Sequence, residues 1–431
     1  MSKQYNFIPE ALLIILAWLT VFLKLIPIMP AILLAIAVML LRIGMVGFIY
    51  LSFMHLSVFW GYFRNVSGIP IPGMTWRLLA IISLIIFFSK RKTSIPYLRK
   101  GLLAVMAVLL FFCVSSLTTS GGNYATTKLE NTLIYALASY FSFTILFVGG
   151  KEVEYKKIAF YLIILGIFLL RLGSELSGGM PSSIYDFGFL RSSNDFFSGE
   201  EEFLVSYHLP PFLALHGFSL LFIRPSLQKG KQFLELCLLA MCTLICLYSG
   251  ARQFIVIAIL FLALWSYLNL FKGGFSMRLV IVSFIVVVIS IGYTFIFGDD
   301  GLLTSTINEG YMEGSGRGPW IIQGINYFLS SPINGIGYGR YSFMGDYGQY
   351  PHNMIVELLC ETGIIGLLFF FALLIYHIKK SWHFSEYYVF LLLVFFIRSM
   401  ASGGLDTNIA VLTLSIATCS LILQPAHHKN F

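Results

Sequence analysis

The chain reads as an all-α polytopic membrane protein with roughly 12–14 transmembrane helices. Its residues are 58% hydrophobic and only 11% charged, less than half the roughly 25% charged content usual in soluble domains. Apolar runs near or above the length that crosses a bilayer recur from one end to the other. The basic residues gather in short loops between those runs, as the positive-inside pattern requires.

Taken in order, the first run, 8–25, opens with Pro9 and Glu10 and leads straight into further apolar sequence. It therefore reads as an uncleaved insertion signal. Runs 27–41 and 43–62 follow, with Pro27 and Pro30 marking a break or a re-entrant turn. Runs 76–89 and 101–117 flank Lys90, Arg91, Lys92, Arg99 and Lys100, and runs 131–149 and 158–172 flank Lys151, Lys156 and Lys157. Runs 207–223 and 233–249 flank Arg224, Lys229 and Lys231, and runs 253–271 and 279–297 flank Lys272 and Arg278. Runs 353–378 and 384–400 flank Lys379 and Lys380, and 406–424 closes the series. With these clusters cytoplasmic, both termini are cytoplasmic too. Two long loops, 173–206 and 298–351, then face outward, as does the tight hairpin 247–254. Residues 1–431 read as a single integral membrane domain without an internal repeat, unlike many transporters.

The net charge of +8 is a topology signal carried by the short loops, so no nucleic-acid partner is expected. All six cysteines lie inside apolar runs without a CxxC pair, which indicates neither a disulfide framework nor a zinc site. Asp299 and Asp300 in "GDDG" read as a turn after an apolar run, and no metal site is expected.

The polar chemistry concentrates on the outward side. Loop 298–351 carries many aromatics, among them Trp320, Tyr327, Tyr338 and Tyr341, which argues against disorder. Its stretch "RGPWIIQGINYFLSS" has helical spacing with Pro319 in the first turn, and predicts a short amphipathic helix along the membrane surface. Arg252 follows a Ser-Gly-Ala turn, Arg317 sits among glycines in "GSGRGPW", and His352 stands at the head of run 353–378. Two guanidinium forks suit phosphate oxygens, and a nearby imidazole can move a proton at neutral pH. Each residue also has a plainer role available. Arg252 could snorkel to headgroups, Arg317 could pair with Glu309 or Glu313, and His352 could cap its helix. Asn353, Glu357 and Glu361 are four apart and share one helix face. Carboxylates there should face the bundle interior or a cavity, where they bond neighbouring helices or serve catalysis. Arg191, Arg340 and Arg398 are further candidates for binding acidic sugars or phosphate. Glu200, Glu201 and Glu202 read as a solvated patch, and His208 and His216 as packed histidines.

Three stretches together resemble the O-antigen ligase and O-antigen polymerase superfamily. "PHNMIVELLCETGIIG" gives His-Asn, nine residues, Gly363, two residues, Gly366. "YSGARQF" is similar to the family's Ser-x-Arg turn, with Gly-Ala in place of the usual small polar run. "GSGRGPWIIQGINYFLSSPINGIGYGRY" resembles the outward loop: an arginine, a tryptophan three on, then Pro-x-x-Gly-x-Gly. The similarity covers about 230 to 370, and the first half matches in hydropathy alone.

The resemblance implies a GT-C-like glycosyltransferase of the bacterial inner membrane with its active site on the periplasmic side. It implies an inverting, metal-independent reaction without a cofactor. The donor and acceptor are glycans linked to undecaprenyl pyrophosphate, and membrane lipid and a chain-length regulator protein are further partners. Carried over by residue, Arg252 and Arg317 bind the pyrophosphate and His352 acts at the acceptor hydroxyl. Asn353, Arg191, Arg340, Trp320 and Glu357 are the expected substrate-binding residues. Polymerases of this superfamily are typically rich in Phe, Ile and Tyr and highly divergent, and the chain, with 41 Phe and 23 Tyr, resembles them more than the ligases. The ligase that moves finished glycan onto lipid A–core is the alternative, and the His-Asn spacing fits it. A lipid-linked sugar flippase would instead bury charges mid-span, and a structural assembly partner would tolerate loss of all three candidate residues.

Overall fold

A computed structural model describes residues 6–23, 27–56, 74–90, 95–117, 122–177, 207–223, 229–272, 318–341, 351, 353–384, 387–400 and 408–422. These residues form α-helices, with one π-helical turn and no strand among them. In order they are α1 (Ile8–Phe22), α2 (Ile28–Arg42), α3 (Met45–Leu51), α4 (Met74–Lys90), α5 (Ile95–Leu117), α6 (Gly122–Gly149) and α7 (Glu152–Ser177). Then come α8 (Leu209–Ile223), α9 (Lys229–Ser249), α10 (Arg252–Lys272), α11 (Gly318–Ser330), α12 (Met354–Phe384), α13 (Tyr387–Ser399) and α14 (Ala410–Ile422). Run 279–297 lies outside the described residues.

Among the described residues, α5, α6, α7 and α12 are long and apolar enough to cross a membrane, and shorter apolar helices pack with them. The chain is a polytopic membrane protein, all-helical among the described residues. Burial sorts the long helices: 94% of the apolar window of α7 is covered, against 28% for α5. So α7 is the central post, and α5 presents Leu103, Met106, Leu110 and Val114 outward, as a lipid-facing helix must.

Lipid tails are as apolar as leucine, so helices in a membrane associate through close packing of small residues rather than through a hydrophobic drive. The α7–α8 contact is built this way. A Cβ on Gly166 of α7 would lie 2.9 Å from Pro210 O, and one on Gly217 of α8 would lie 2.7 Å from Ala159 O. A second tie fastens α1 and α2 to the post. Arg42 Nε donates to the buried Glu10 at 2.8 Å, and Tyr161 OH of α7 donates to the same oxygen at 3.2 Å.

At residues 247–254 the tight hairpin read from the sequence is present. Gly250 sits at φ 71 between α9 and α10, and the Ala251 N–H donates to Ser249 Oγ at 3.3 Å. The π-helical turn Ser52–Leu56 continues α3 and aims His55 inward. His216 of α8 there links Tyr50 OH at 2.6 Å and His55 Nε2 at 2.9 Å, so it is a packed histidine as expected.

Because backbone faces Gly217, a side chain there must push α7 and α8 apart. Gly217→Val is expected to cost about 1–3 kcal/mol, read as a lowered thermal midpoint of the detergent-purified protein.

Candidate functional site

The site is built on a helix that is not continuous. Run 353–378 reads as one span, but Gly363 adopts φ 65 and ψ −164 inside α12, a region open essentially to glycine alone. A short limb, 354–362, precedes the break, and a long limb follows it. Asn353 starts the short limb: its Oδ1 accepts the N–H groups of Ile355 and Val356 at 3.0 and 3.1 Å, a side-chain cap.

A break leaves helix carbonyls and N–H groups without partners, which is costly in an apolar bundle. Segment 331–341 supplies those partners. Ile336 N donates to Cys360 O at 2.8 Å and Gly337 N to Glu361 O at 3.0 Å. In the other direction Ile364 N donates to Pro332 O at 2.9 Å and Ile365 N to Ile333 O at 3.4 Å. The approach is backbone on backbone. A Cβ on Gly335, at φ 71, would lie 2.4 Å from Glu361 C, and one on Gly363 would lie 2.2 Å from Ile333 O. The Pro-x-x-Gly-x-Gly stretch and the Gly363 spacing, far apart in the chain, are thus two halves of one clasp.

Loop 298–351 therefore does not stay outside the bundle throughout. Segment 331–341 enters it, and Tyr338 and Tyr341 are buried. Tyr338 packs on Phe112 of α5 with centroids 4.6 Å apart, and its N–H donates to Ser115 Oγ at 3.1 Å. Tyr341 OH donates to Trp320 O at 2.7 Å, joining the clasp to α11.

An ionic cluster backs the clasp. Glu357 and Glu361 are 0% exposed and Lys128 of α6 is 2% exposed. Lys128 Nζ reaches Glu357 Oε1 at 2.5 Å and Glu361 Oε2 at 2.7 Å, and lies 4.9 Å from the centre of the Tyr338 ring. The other Glu361 oxygen accepts the Tyr341 N–H at 3.4 Å. Buried carboxylates without a partner would each cost several kcal/mol, so the ammonium is required for their burial. Thr132 Oγ1 donates to Lys128 O at 2.7 Å, which leaves its lone pairs to accept the Tyr338 hydroxyl.

The expected amphipathic helix is α11. Ile322, Ile325 and Leu329 form its exposed stripe, and Gly324 lies against Val356 of the short limb. A Cβ on Gly324 would also come within 3.9 Å of Pro351, the residue before His352. The chain that follows Arg317 and the chain that flanks His352 are thereby packed together. Arg317, His352 and Arg191 themselves lie outside the described residues. Arg252 is the first residue of α10, and its neighbour Gln253 donates to His208 Nδ1 at 2.6 Å. Arg340 is half-buried in the clasp, with its Nε buried and without a hydrogen-bond partner among the described residues. Trp320 is half-buried on α11. Glu357 faces Lys128, the helix-bonding role that its position allowed. Arg398 of α13 stacks over Phe212 at 4.2 Å. No cluster of metal-ligating side chains occurs among the described residues.

Residues 236–371 match the family model described as O-antigen ligase. Over that stretch, about a third of its length, the chain is similar to this family. Members of that family are glycosyltransferase-like enzymes of the ligase or polymerase type. No curated protein matches the chain. The match contains the clasp, the short limb, Arg252, Arg317 and His352. It does not contain Lys128, Thr132 or Ser115, which the sequence reading also passed over. A signal was present for Lys128: it is a lone lysine at what the topology makes an outward end, an exception to the positive-inside pattern.

The clasp gives a direct test. Gly363→Ala places a side chain at φ 65 and against Ile333 O. Backbone strain alone should cost about 1–3 kcal/mol, with the clash added. The midpoint of Gly363→Ala should fall well below that of Ile364→Ala, whose side chain is exposed.

Proposed function

We propose that the chain is a periplasmic-face glycosyltransferase that polymerises undecaprenyl-pyrophosphate-linked repeat units into O-antigen or a similar surface polysaccharide. The observation that carries this reading is the family match over 236–371, the segment in which α11 and the short limb pack together. The protein resides in the bacterial inner membrane with both termini cytoplasmic. A chain-length regulator protein is a further partner.

The acceptor hydroxyl oxygen attacks the anomeric carbon of the donor glycan. The bond from that carbon to the pyrophosphate oxygen breaks on the opposite face, so the configuration inverts. His352 takes the hydroxyl proton as general base. The departing pyrophosphate gains negative charge, and Arg252 and Arg317 stabilise it through preorganised guanidinium groups. Arg340 and Arg191 offer further donors to anionic substrate groups. Trp320 borders the acceptor, and Asn353 and Glu357 serve its binding by holding the limb in place. Catalysis runs on charge and position, without a metal or a cofactor.

Transfer of finished glycan to lipid A–core is the second reading, favoured by the description of the matching family and by the His-Asn spacing. A deletion strain separates the two. Loss of a polymerase leaves core bearing a single repeat, whereas loss of a ligase leaves bare core. Complementing that strain with Arg252→Ala, Arg317→Ala or His352→Ala should leave the same defect at normal protein level. Each replaced group should lower transfer by about 10²–10³-fold. Long-chain polysaccharide persisting in all three would contradict the proposed chemistry.

A further inference from the structure

The short limb 354–362 is the common mount of the proposed site. It starts at the Asn353 cap, next to His352. Gly324 of α11, the helix that begins one residue after Arg317, rests on its Val356. The clasp that carries Arg340 bonds to its last turn. Yet the break at Gly363 disconnects this limb from the long limb that anchors α12. The tilt and rotation of a limb cut loose in this way are not inherited from the helix behind it. They must be set by contacts of its own.

Lys128 supplies such a contact from outside the matched segment. It reaches 229 and 233 residues along the chain to grip Glu357 and Glu361. Those carboxylates stand one turn apart on one face, so a single ammonium makes a two-point attachment that fixes both rotation and height. The attachment is shielded from water and made by charged partners in close contact, so it is stiff. It also extends into the clasp. Glu361 holds the Tyr341 N–H next to Arg340, and the Lys128 helix holds Tyr338 through Thr132.

We propose that Lys128 is a positioning residue of the transfer site, acting through Glu357 and Glu361 to hold the short limb and the clasp that carries Arg340 in register with the bundle. The inference rests on the glycosyltransferase reading. Lys128 itself touches no reacting atom in this scheme. Removing it should therefore slow the chemical step more than it weakens donor binding.

The test uses the full-length protein in lipid nanodiscs. The probe is undecaprenyl-pyrophosphate-linked repeat unit extracted from the deletion strain. Lys128→Met is expected to lower kcat at least tenfold per folded molecule, with KM for the donor within threefold of wild type. Lys128→Arg, which keeps the charge and the two-point grip, is expected to retain at least a third of the wild-type kcat. Where Lys128→Met does not fold, Lys128→Met/Glu361→Gln removes one of the stranded carboxylates and should show the same kcat loss. Wild-type kcat in the folded variant, a loss confined to KM, or a loss equal in Lys128→Met and Lys128→Arg overturns the inference alone. A wild-type protein that transfers no glycan overturns the proposed function and the inference together.

Discussion

Backbone groups in a bilayer have no water to turn to, and the structure around Gly363 depends on meeting that constraint. A helix broken inside an apolar bundle is tolerable only where another strand of chain completes its hydrogen bonds. Segment 331–341 does so, with donors running both ways across the gap. Glycines at 335 and 363 are needed because the two backbones approach more closely than any Cβ allows. From this one accommodation follow the burial of Tyr338 and Tyr341, the seat of α11 on α12, and the entry of a polar loop into the bundle.

The clasp explains why charges lie in the same place. A segment that enters the bundle brings polar groups that need partners: Ser115 of α5 and Thr132 of α6 provide them to Tyr338, and Lys128 of α6 provides the cation for the carboxylates beside it. The N-terminal half of the chain is therefore more than a hydrophobic scaffold for the matched segment. It closes the ionic cluster that the matched segment leaves open. The family match stops short of these residues, so a reading confined to that segment would leave Glu357 and Glu361 as two buried carboxylates without a cation.

Much of the fold was legible because membrane helices follow hydropathy and charge placement. The amphipathic spacing of "PWIIQGINYFLSS" gave α11, and the four-residue spacing gave Glu357 and Glu361 one inward face. The break in α12 was not legible, since an apolar run reports burial and not φ. Its only trace was the Gly363 and Gly366 spacing noted as a family resemblance. The placement of the basic clusters assigns segment 331–341 to the outward loop 298–351, and that placement does not report what a loop packs against. Its partners are backbone groups, which carry no residue-specific signal. Lys128 was hidden for a related reason: its acids lie more than two hundred residues away, beyond any local pattern.

The central claim is that the clasp brings the chain around Arg317 and the chain around His352 into one site. Cross-linking tests it most directly. In a cysteine-free background, Arg317→Cys and His352→Cys are introduced together with a protease site between 342 and 350, and the membranes are treated with a short bifunctional maleimide. The two fragments are expected to remain joined after cleavage. Fragments that separate fully, although each cysteine alone reacts with a monofunctional maleimide, would contradict the claim.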